Sequence, residues 1–234
     1  MNNIYRRGFT FLRMQNQLKA ITQVRPALVM FQARMVHARG YNDYQDNWSH
    51  IFHEVNFALS GSKTTDGFVF VFHKYGKYLT DFQIAYAFWM IGKNQLERSP
   101  EFWSLILPTV KTQLAKLDRN CTKSLIHFIE GASAMTLQDN EFWELVEQKL
   151  VDEGLHRYFD LMEITKILNY LADVGRGSDE MLEIIEKTII KHRKALTPEI
   201  IEYARKGFMR VNKGSEILFR VLEDPTVQLP ALEA

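Results

Sequence analysis

Histidine and cysteine are the side chains in this sequence best suited to chemistry, and few of them are placed for it. His50 and His53 are spaced i, i+3 and precede Glu54, a spacing that presents two imidazoles to one zinc ion. The order is not that of a His-Glu-x-x-His metalloprotease, and no third ligand lies nearby, so surface or interface histidines are the favoured interpretation. His127, within LIHFIE, is interpreted as a half-buried helical side chain with a hydrogen-bonded ring nitrogen.

Cys121 is the only cysteine, which rules out an intrachain disulfide and a thiolate-rich metal site. A nucleophilic thiol needs a general base beside it in space, and a single thiol near a helix start favours a structural role. The acidic side chains Glu141, Glu144 and Glu147 indicate a solvated helix face rather than paired catalytic carboxylates.

The glycines of GRGSDE, residues 175–180, resemble a phosphate loop only superficially. There is no preceding strand, no third glycine and no Lys-Ser/Thr pair, so the segment predicts a turn between helices. The sequence therefore predicts a protein that is not an enzyme, with no catalytic, cofactor-binding or metal-binding residues and no cofactor.

A repeat organises the rest of the chain. SPEFWSLIL begins at Ser99 and DNEFWELVE at Asp139, so Phe102 and Phe142 lie 40 residues apart. Similar amphipathic segments continue at Met181 and Ile217, and partner segments begin at Thr80, Thr122, Leu161 and Thr197. A period of about 36–40 residues predicts helical hairpins, each with a helix A, a short turn and a helix B.

Local residues support these boundaries. Ser99-Pro100-Glu101 and Thr197-Pro198-Glu199 each place a hydroxyl at the N-cap and proline at the first helical position. Gly175–Ser178 and Lys213–Ser215 predict turns from helix A to helix B. Extending the register backwards puts 47–61 in an A helix and 64–79 in a B helix, although the alternation of FVFVF at 68–72 is typical of a strand.

The predicted fold is all-α, an α-solenoid of about four to five stacked hairpins with extended N- and C-terminal tails. One hairpin cannot bury its apolar side alone, so the large side chains that open each B helix are expected to pack against the neighbouring hairpin. These structural anchors are Phe102, Trp103, Phe142, Trp143, Met181, Leu182, Ile217 and Leu218.

Charge separates the chain into a basic beginning and an acidic body. The net charge is +1, but residues 1–40 contain seven of the 29 basic residues and no acid, leaving 22 against 28 acids. Phe9, Leu12 and Leu18 would share one apolar helix face, and VHARGY at 36–41 resembles a matrix-protease cleavage site. This composition is typical of a mitochondrial transit peptide, either cleaved or retained as an arm; the alternative is a basic surface arm on a cytosolic protein.

The expected organisation is a targeting segment at 1–40, a helical-repeat domain at 41–224 and an extended tail at 225–234. No apolar run approaches the roughly 20 residues needed to span a bilayer. We therefore expect a protein of the mitochondrial matrix or of the matrix side of the inner membrane, soluble or in peripheral contact with a membrane complex.

The period and the SPEFW start of one B helix resemble the octotricopeptide and heptatricopeptide repeat families, found in organelle proteins of algae, apicomplexans and related protists. The resemblance spans residues 47–223, and its Pro-Glu-Trp signature matches at Ser99–Trp103. DNEFW lacks the proline, and later units lack both proline and tryptophan. The resemblance implies a helical-hairpin fold and, for many members, binding of organellar RNA, with no RNA-contacting position carried over.

Two functions follow as expectations. The first is a non-catalytic accessory or scaffold subunit of a large mitochondrial assembly, a respiratory-chain or ATP synthase complex, whose partners are the other protein subunits. The alternative is an organellar RNA-binding protein or a mitochondrial ribosome component. The acidic body disfavours RNA, and the local basic cluster near one helix end also complements the helix dipole: Lys187, Lys191, His192, Arg193 and Lys194.

Overall fold

The computed structural model describes residues 45–227, and within that range the chain is helical and contains no strand. The all-α prediction is thereby confirmed. The helices are α1 (Gln45–Gly61), α2 (Thr65–Tyr75), α3 (Asp81–Lys93), α4 (Leu107–Leu114), α5 (Thr122–Ala134), α6 (Asn140–Leu150), α7 (Leu161–Val174), α8 (Asp179–Lys191), α9 (Pro198–Val211) and α10 (Glu216–Glu223).

The alternating FVFVF segment lies inside α2, as the repeat register predicts. Phe68, Val71, Phe72 and Tyr75 are buried at helical spacing, whereas Phe70 is 59% exposed. A strand would have buried residues 68, 70 and 72 on one side. The apolar face continues beyond the five alternating residues at a period of 3.6, which is why the helix forms.

Side-chain caps determine where most helices begin. Thr80 and Asp160 form complete capping boxes with Gln83 and Glu163, so each satisfies two backbone N–H groups at the helix start. A side-chain oxygen also accepts a backbone N–H at the starts of α2, α6, α8, α9 and α10, from Thr64, Asp139, Ser178, Thr197 and Ser215. The predicted boundaries at Thr197, Ser178 and Ser215 are confirmed.

The predicted helix start is confirmed, because Pro100 is the first helical residue, but the predicted hydroxyl cap at Ser99 does not form. Its hydroxyl is buried and has no hydrogen-bond partner among the described residues, and α4 is preceded by a π-helical turn, Phe102–Ile106. The Leu107 N–H donates to the Phe102 carbonyl, five residues back. Pro108 follows and has no N–H to continue a regular ladder, and a π turn is one way for a helix to absorb that break.

Helices α3, α5, α7 and α9 end alike. Each is followed by a residue with positive φ, and the next residue donates its N–H to the carbonyl five residues earlier. The positive φ and this hydrogen bond together satisfy the last free carbonyls of the helix. The four residues with positive φ are Gln95 (52°), Thr136 (49°), Gly175 (65°) and Asn212 (51°).

Alternate helices pack on one another. We call α3, α5, α7 and α9 the A helices and α2, α4, α6, α8 and α10 the B helices. Helix α3 packs on α5, α5 on α7 and α7 on α9, while α4 packs on α6 and α8 on α10. Ser124 at the start of α5 donates to Asp81 at the start of α3 (3.0 Å), and Arg210 near the end of α9 pairs with Asp173 near the end of α7. Neighbouring A helices therefore run parallel.

Two glycines bring α3 and α5 into backbone contact. A Cβ atom placed on Gly92 would lie 2.3 Å from the carbonyl oxygen of Gly131, and one on Gly131 would lie 2.9 Å from the Cα of Trp89. No side chain larger than hydrogen can occupy either position at this separation. The pair therefore sets the distance between these two helices.

The chain divides into two units, Met1–Ile51 and Phe52–Ala234. Of the first, the structure describes the beginning of α1. The predicted basic segment 1–40, with Phe9, Leu12 and Leu18, lies outside the described residues, as does 228–234 of the predicted tail. Residues 225–227 are not extended as predicted: Pro225 and Thr226 form a turn, in which the Asp224 carboxylate accepts the Thr226 N–H at 2.9 Å.

No helix in the part of the chain that the structure describes is both long enough and apolar enough to cross a bilayer.

Replacing Gly131 by alanine should lower the free energy of unfolding by about 2 kcal/mol, because the new methyl group must push α3 and α5 apart. Gly76→Ala is the control, since nothing lies within 4 Å of a Cβ at Gly76, and it should be neutral or slightly stabilising. Urea denaturation of the two variants measures the difference. Equal stability of the two would show that the glycine contact does not constrain the packing.

Replacing Thr136 tests the strain of its positive φ. A residue with a Cβ in this conformation costs about 1 kcal/mol relative to glycine, so Thr136→Gly should be about 1 kcal/mol more stable than Thr136→Ala. At the exposed helical residue Thr112 the order should reverse, with alanine more stable than glycine by about 1 kcal/mol. Thermal unfolding of the four variants gives both differences, and the same order at both positions would contradict the left-handed conformation.

Candidate interaction surfaces

The two recurrent phenylalanines belong to one aromatic cluster. Phe102 and Phe142 are fully buried, and their rings lie 6.2 and 5.7 Å from that of Phe88 on α3. Phe128 on α5 lies 6.1 Å from the same ring. One phenylalanine of α3 therefore joins two successive hairpins, which explains why the Phe of the repeated motif is needed twice.

The two tryptophans of the motif differ. Trp143 is 5% exposed and donates its indole N–H to the Leu137 carbonyl at 2.8 Å. Trp103 is 47% exposed, so its predicted burial is wrong. Trp103 lies in the π-helical turn Phe102–Ile106, where the side-chain directions of a regular helix no longer apply.

The other predicted anchors are mostly buried. Met181 is 2% exposed, Leu182 is 6% exposed and Leu218 is fully buried, as expected. Ile217 is 36% exposed, so the prediction that it anchors a hairpin is wrong. It lies on α10, the last helix of the described residues, and no further described helix covers it.

Three rings of α3 form a half-exposed row that the repeat analysis did not single out. Phe82, Tyr86 and Trp89 are spaced i, i+4 and i+7, with centroids 6.5 and 5.7 Å apart. His127 of α5 lies edge-on between Phe82 and Trp89, at 5.4 Å from each. We call these four residues the aromatic face. The spacing in DFQIAYAFWM contains this signal, but α3 is apolar on nearly every side and its exposed side could not be identified.

His127 is neutral at pH 7. Burial is the main cause that lowers its pKa, and its Nδ1 lies 2.7 Å from the Lys123 carbonyl. A carbonyl only accepts, so Nδ1 carries the proton and Nε2 is left as an acceptor. The predicted half-buried, hydrogen-bonded histidine is confirmed, and it contributes an uncharged ring to the aromatic face.

Two lysines lie beside the aromatic face. Lys93 lies over the Trp89 ring, 4.2 Å from its centroid, and Lys123 pairs with Glu163 at 3.2 Å. Further along, Tyr170 hydrogen bonds Glu130, and burial is the main cause that raises the tyrosine pKa. The indole N–H of Trp89 is buried without a partner among the described residues. The surface is thus aromatic and nearly neutral.

A groove of about 680 Å³ lies beside Trp103, between the turn after α3 and the turn after α5. Arg98 crosses it and donates to the Met135 carbonyl at 3.0 Å, and Gln95 donates to the Ala134 carbonyl at 2.6 Å. These bonds join successive turns, so the Arg98 and Gln95 side chains already have protein partners.

None of the candidate catalytic groups is assembled into a site. Within the described residues, no three His, Cys, Asp or Glu side chains are grouped to hold a metal ion. His50 and His53 are exposed. Glu141 pairs with Lys111 at 2.5 Å, and Glu144 is exposed. The GRGSDE segment forms the turn between α7 and α8, as predicted.

Cys121 occupies the N-cap position of α5, equivalent to Thr80, Asp160 and Thr197, but its thiol makes no capping bond. Burial, reinforced by the carboxylate of Asp81, raises the pKa of Cys121 to about 12. A thiol with this pKa is almost entirely protonated at neutral pH, which is opposite to what a nucleophile needs.

Alkylation of Cys121 by iodoacetamide at pH 8 should be at least about a hundredfold slower in the native protein than in urea, because so little thiolate is present. The native rate should still be rising above pH 10, whereas the rate in urea should level off near pH 9. A native rate that levels off at or below pH 9 would mean that the thiol is not perturbed and that access alone limits it.

Comparison with known proteins finds no family model and no curated protein that matches this chain. The resemblance to octotricopeptide and heptatricopeptide repeats therefore stays a prediction from the sequence motif.

Proposed function

We propose that the chain is an α-solenoid scaffold subunit of a large mitochondrial protein assembly, a respiratory-chain or ATP synthase complex, and that it is not an enzyme. Equivalent positions support the repeat. The N-cap positions of the A helices, at 80, 121, 160 and 197, are 41, 39 and 37 residues apart, and the positive-φ residues at 95, 136, 175 and 212 have the same spacings. Stacked hairpins of one design explain both series.

The aromatic face is the observation that carries the proposal. Half-exposed rings on adjacent A helices offer a large contact area at a small cost in side-chain entropy, as in protein interfaces. The unpartnered indole N–H of Trp89 would gain an acceptor from a neighbouring subunit after a small rotation. The partner is therefore a protein segment with apolar side chains and backbone carbonyl groups.

The pairing of charges favours a protein over RNA. Nucleic acids are bound mainly through lysine and arginine side chains that neutralise phosphates. Beside the aromatic face, Lys123 is paired with Glu163, and Lys93 lies over the Trp89 ring. Binding a phosphate chain there would compete with the Lys123–Glu163 ion pair, whereas an apolar protein surface leaves that pair intact.

The proposed mitochondrial location rests on residues 1–40, whose arginines and lack of acids are typical of a transit peptide. The choice of an inner-membrane complex rests on the acidic body and on the expectation of a matrix-side location. The ribosome and organellar RNA are the alternative partners.

Native sizing of the tagged full chain from gently solubilised mitochondria, with and without ribonuclease, tests the proposal. Phe82→Gln with Tyr86→Gln should remove the protein from a large assembly that ribonuclease leaves unchanged, and mass spectrometry of the assembly should identify respiratory-chain or ATP synthase subunits. The control is Phe57→Gln with Phe70→Gln, since these rings are 58% and 59% exposed elsewhere. The control should stay in the assembly.

Three results would contradict the proposal. If ribonuclease changes the size of the particle, RNA or the ribosome becomes the favoured partner. Equal loss of assembly in both double variants would remove the role of the aromatic face. Migration of the unmodified chain as a monomer would exclude a stable subunit.

A further inference from the structure

The loops that join each B helix to the next A helix carry basic residues along one edge of the Phe52–Val227 unit. Because the A helices run parallel, these loops lie together at the starts of α3, α5, α7 and α9. They comprise residues 76–80, 115–121, 151–160 and 192–197. We call their six lysine and arginine residues the basic edge: Lys77, Lys116, Arg119, Arg157, Arg193 and Lys194.

Acidic residues on the same loops do not cancel this charge. Glu153 pairs with the buried Lys149 at 2.7 Å, and the Asp160 carboxylate caps α7. With Asp118 and Asp152, these loops hold four acids against six basic side chains, so six minus four leaves a net charge of +2. The edge is therefore positive although the body of the protein is acidic.

The basic side chains face solvent. Five of the six are exposed and Arg193 is half-exposed. Among the described residues, no ion pair within 4.0 Å involves any of the six. They are spread over four successive loops, and neighbouring packed helices lie roughly 8–10 Å apart. The positive charge therefore extends as a row rather than as one compact site.

Tyrosines accompany the basic residues. Tyr158, next to Arg157, is 52% exposed, and Lys77 lies over the ring of Tyr78 at 4.7 Å from its centroid. Tyrosine beside lysine or arginine is typical of surfaces that meet a membrane at the level of the lipid headgroups.

We propose that the basic edge binds the surface of an anionic phospholipid membrane. A row of loops can touch a plane at every loop, and each lysine or arginine near an anionic surface strengthens binding by about fivefold. RNA is less suited to this edge, because sequence-tolerant binding of single strands combines basic groups with stacking rings. The three-ring row lies on the aromatic face, and Tyr158 is the exposed ring here. This inference goes beyond the proposed function and does not depend on the identity of the protein partner.

Sedimentation of the full chain with vesicles tests the charge requirement. The vesicles contain phosphatidylcholine alone or phosphatidylcholine with phosphatidylglycerol. Lys116→Gln, Arg157→Gln and Lys194→Gln together should weaken binding to the anionic vesicles by about a hundredfold. The matched control combines Lys63→Gln, Lys206→Gln and Lys213→Gln, which are exposed lysines outside these loops, and should lose less than about tenfold.

A second measurement shows which edge meets the membrane, since residues 1–40 are themselves basic. In a Cys121→Ser background, a dye is attached through Asn120→Cys on the basic edge or through Glu180→Cys at the start of α8, both exposed positions. Vesicles with a nitroxide on the lipid headgroup should quench the dye at 120 strongly and the dye at 180 weakly.

The inference is overturned if the unmodified chain does not sediment with anionic vesicles, or if the control loses as much binding as the edge variant. It is also overturned if bound protein shows equal quenching at both dye positions. If the edge variant loses affinity for single-stranded RNA while vesicle binding is unchanged, the basic edge is an RNA site instead.

Discussion

The backbone contact between Gly92 and Gly131 is the constraint on which the centre of the structure depends. It lets α3 and α5 approach more closely than side chains would allow, and this brings Phe88 and Phe128 within ring contact. The B-helix residues Phe102 and Phe142 then close over Phe88 from two hairpins. The same close approach of the two helices places His127 of α5 between the Phe82 and Trp89 rings of α3, opposite to the buried cluster. One short distance thus shapes both the buried cluster and the aromatic face.

Sequence reasoning succeeds here where one residue type has one dominant role. Phe102 and Phe142 recur because a buried ring is needed at the start of each B helix, and Thr197 or Ser178 at a helix start has few alternatives to capping. It fails where two demands compete. Ser99 has the right identity for a cap and directly precedes the first helical residue, but its buried hydroxyl makes no capping bond. Trp103 repeats the motif of Trp143, but it lies in the π-helical turn and stays exposed.

Backbone conformations that a residue type rarely adopts could not be predicted from the sequence either. Gln95 and Thr136 adopt positive φ, which sequence analysis assigns to glycine or asparagine, so only the turns at Gly175 and Lys213 were recognised. The helix-ending hydrogen bonds and the contacts between turns hold these two residues in place. The aromatic face is a similar case, because a helix with apolar residues on all sides does not reveal which side will stay exposed.

The bonds between successive turns have a consequence for how the molecule opens. Arg98, after α3, donates to the Met135 carbonyl in the turn after α5. Arg176, after α7, donates to Asn140 at the start of α6. Lys213, after α9, pairs with Asp179 at the start of α8. In the proposed α-solenoid, each such bond would join only immediate neighbours, and the cooperativity of unfolding would be short-ranged. The α9–α10 hairpin would then detach while the Phe88 cluster stays intact, and amide hydrogen exchange would be graded along the chain rather than uniform. Local opening of this kind would let the last hairpin rearrange on a partner without unfolding the rest.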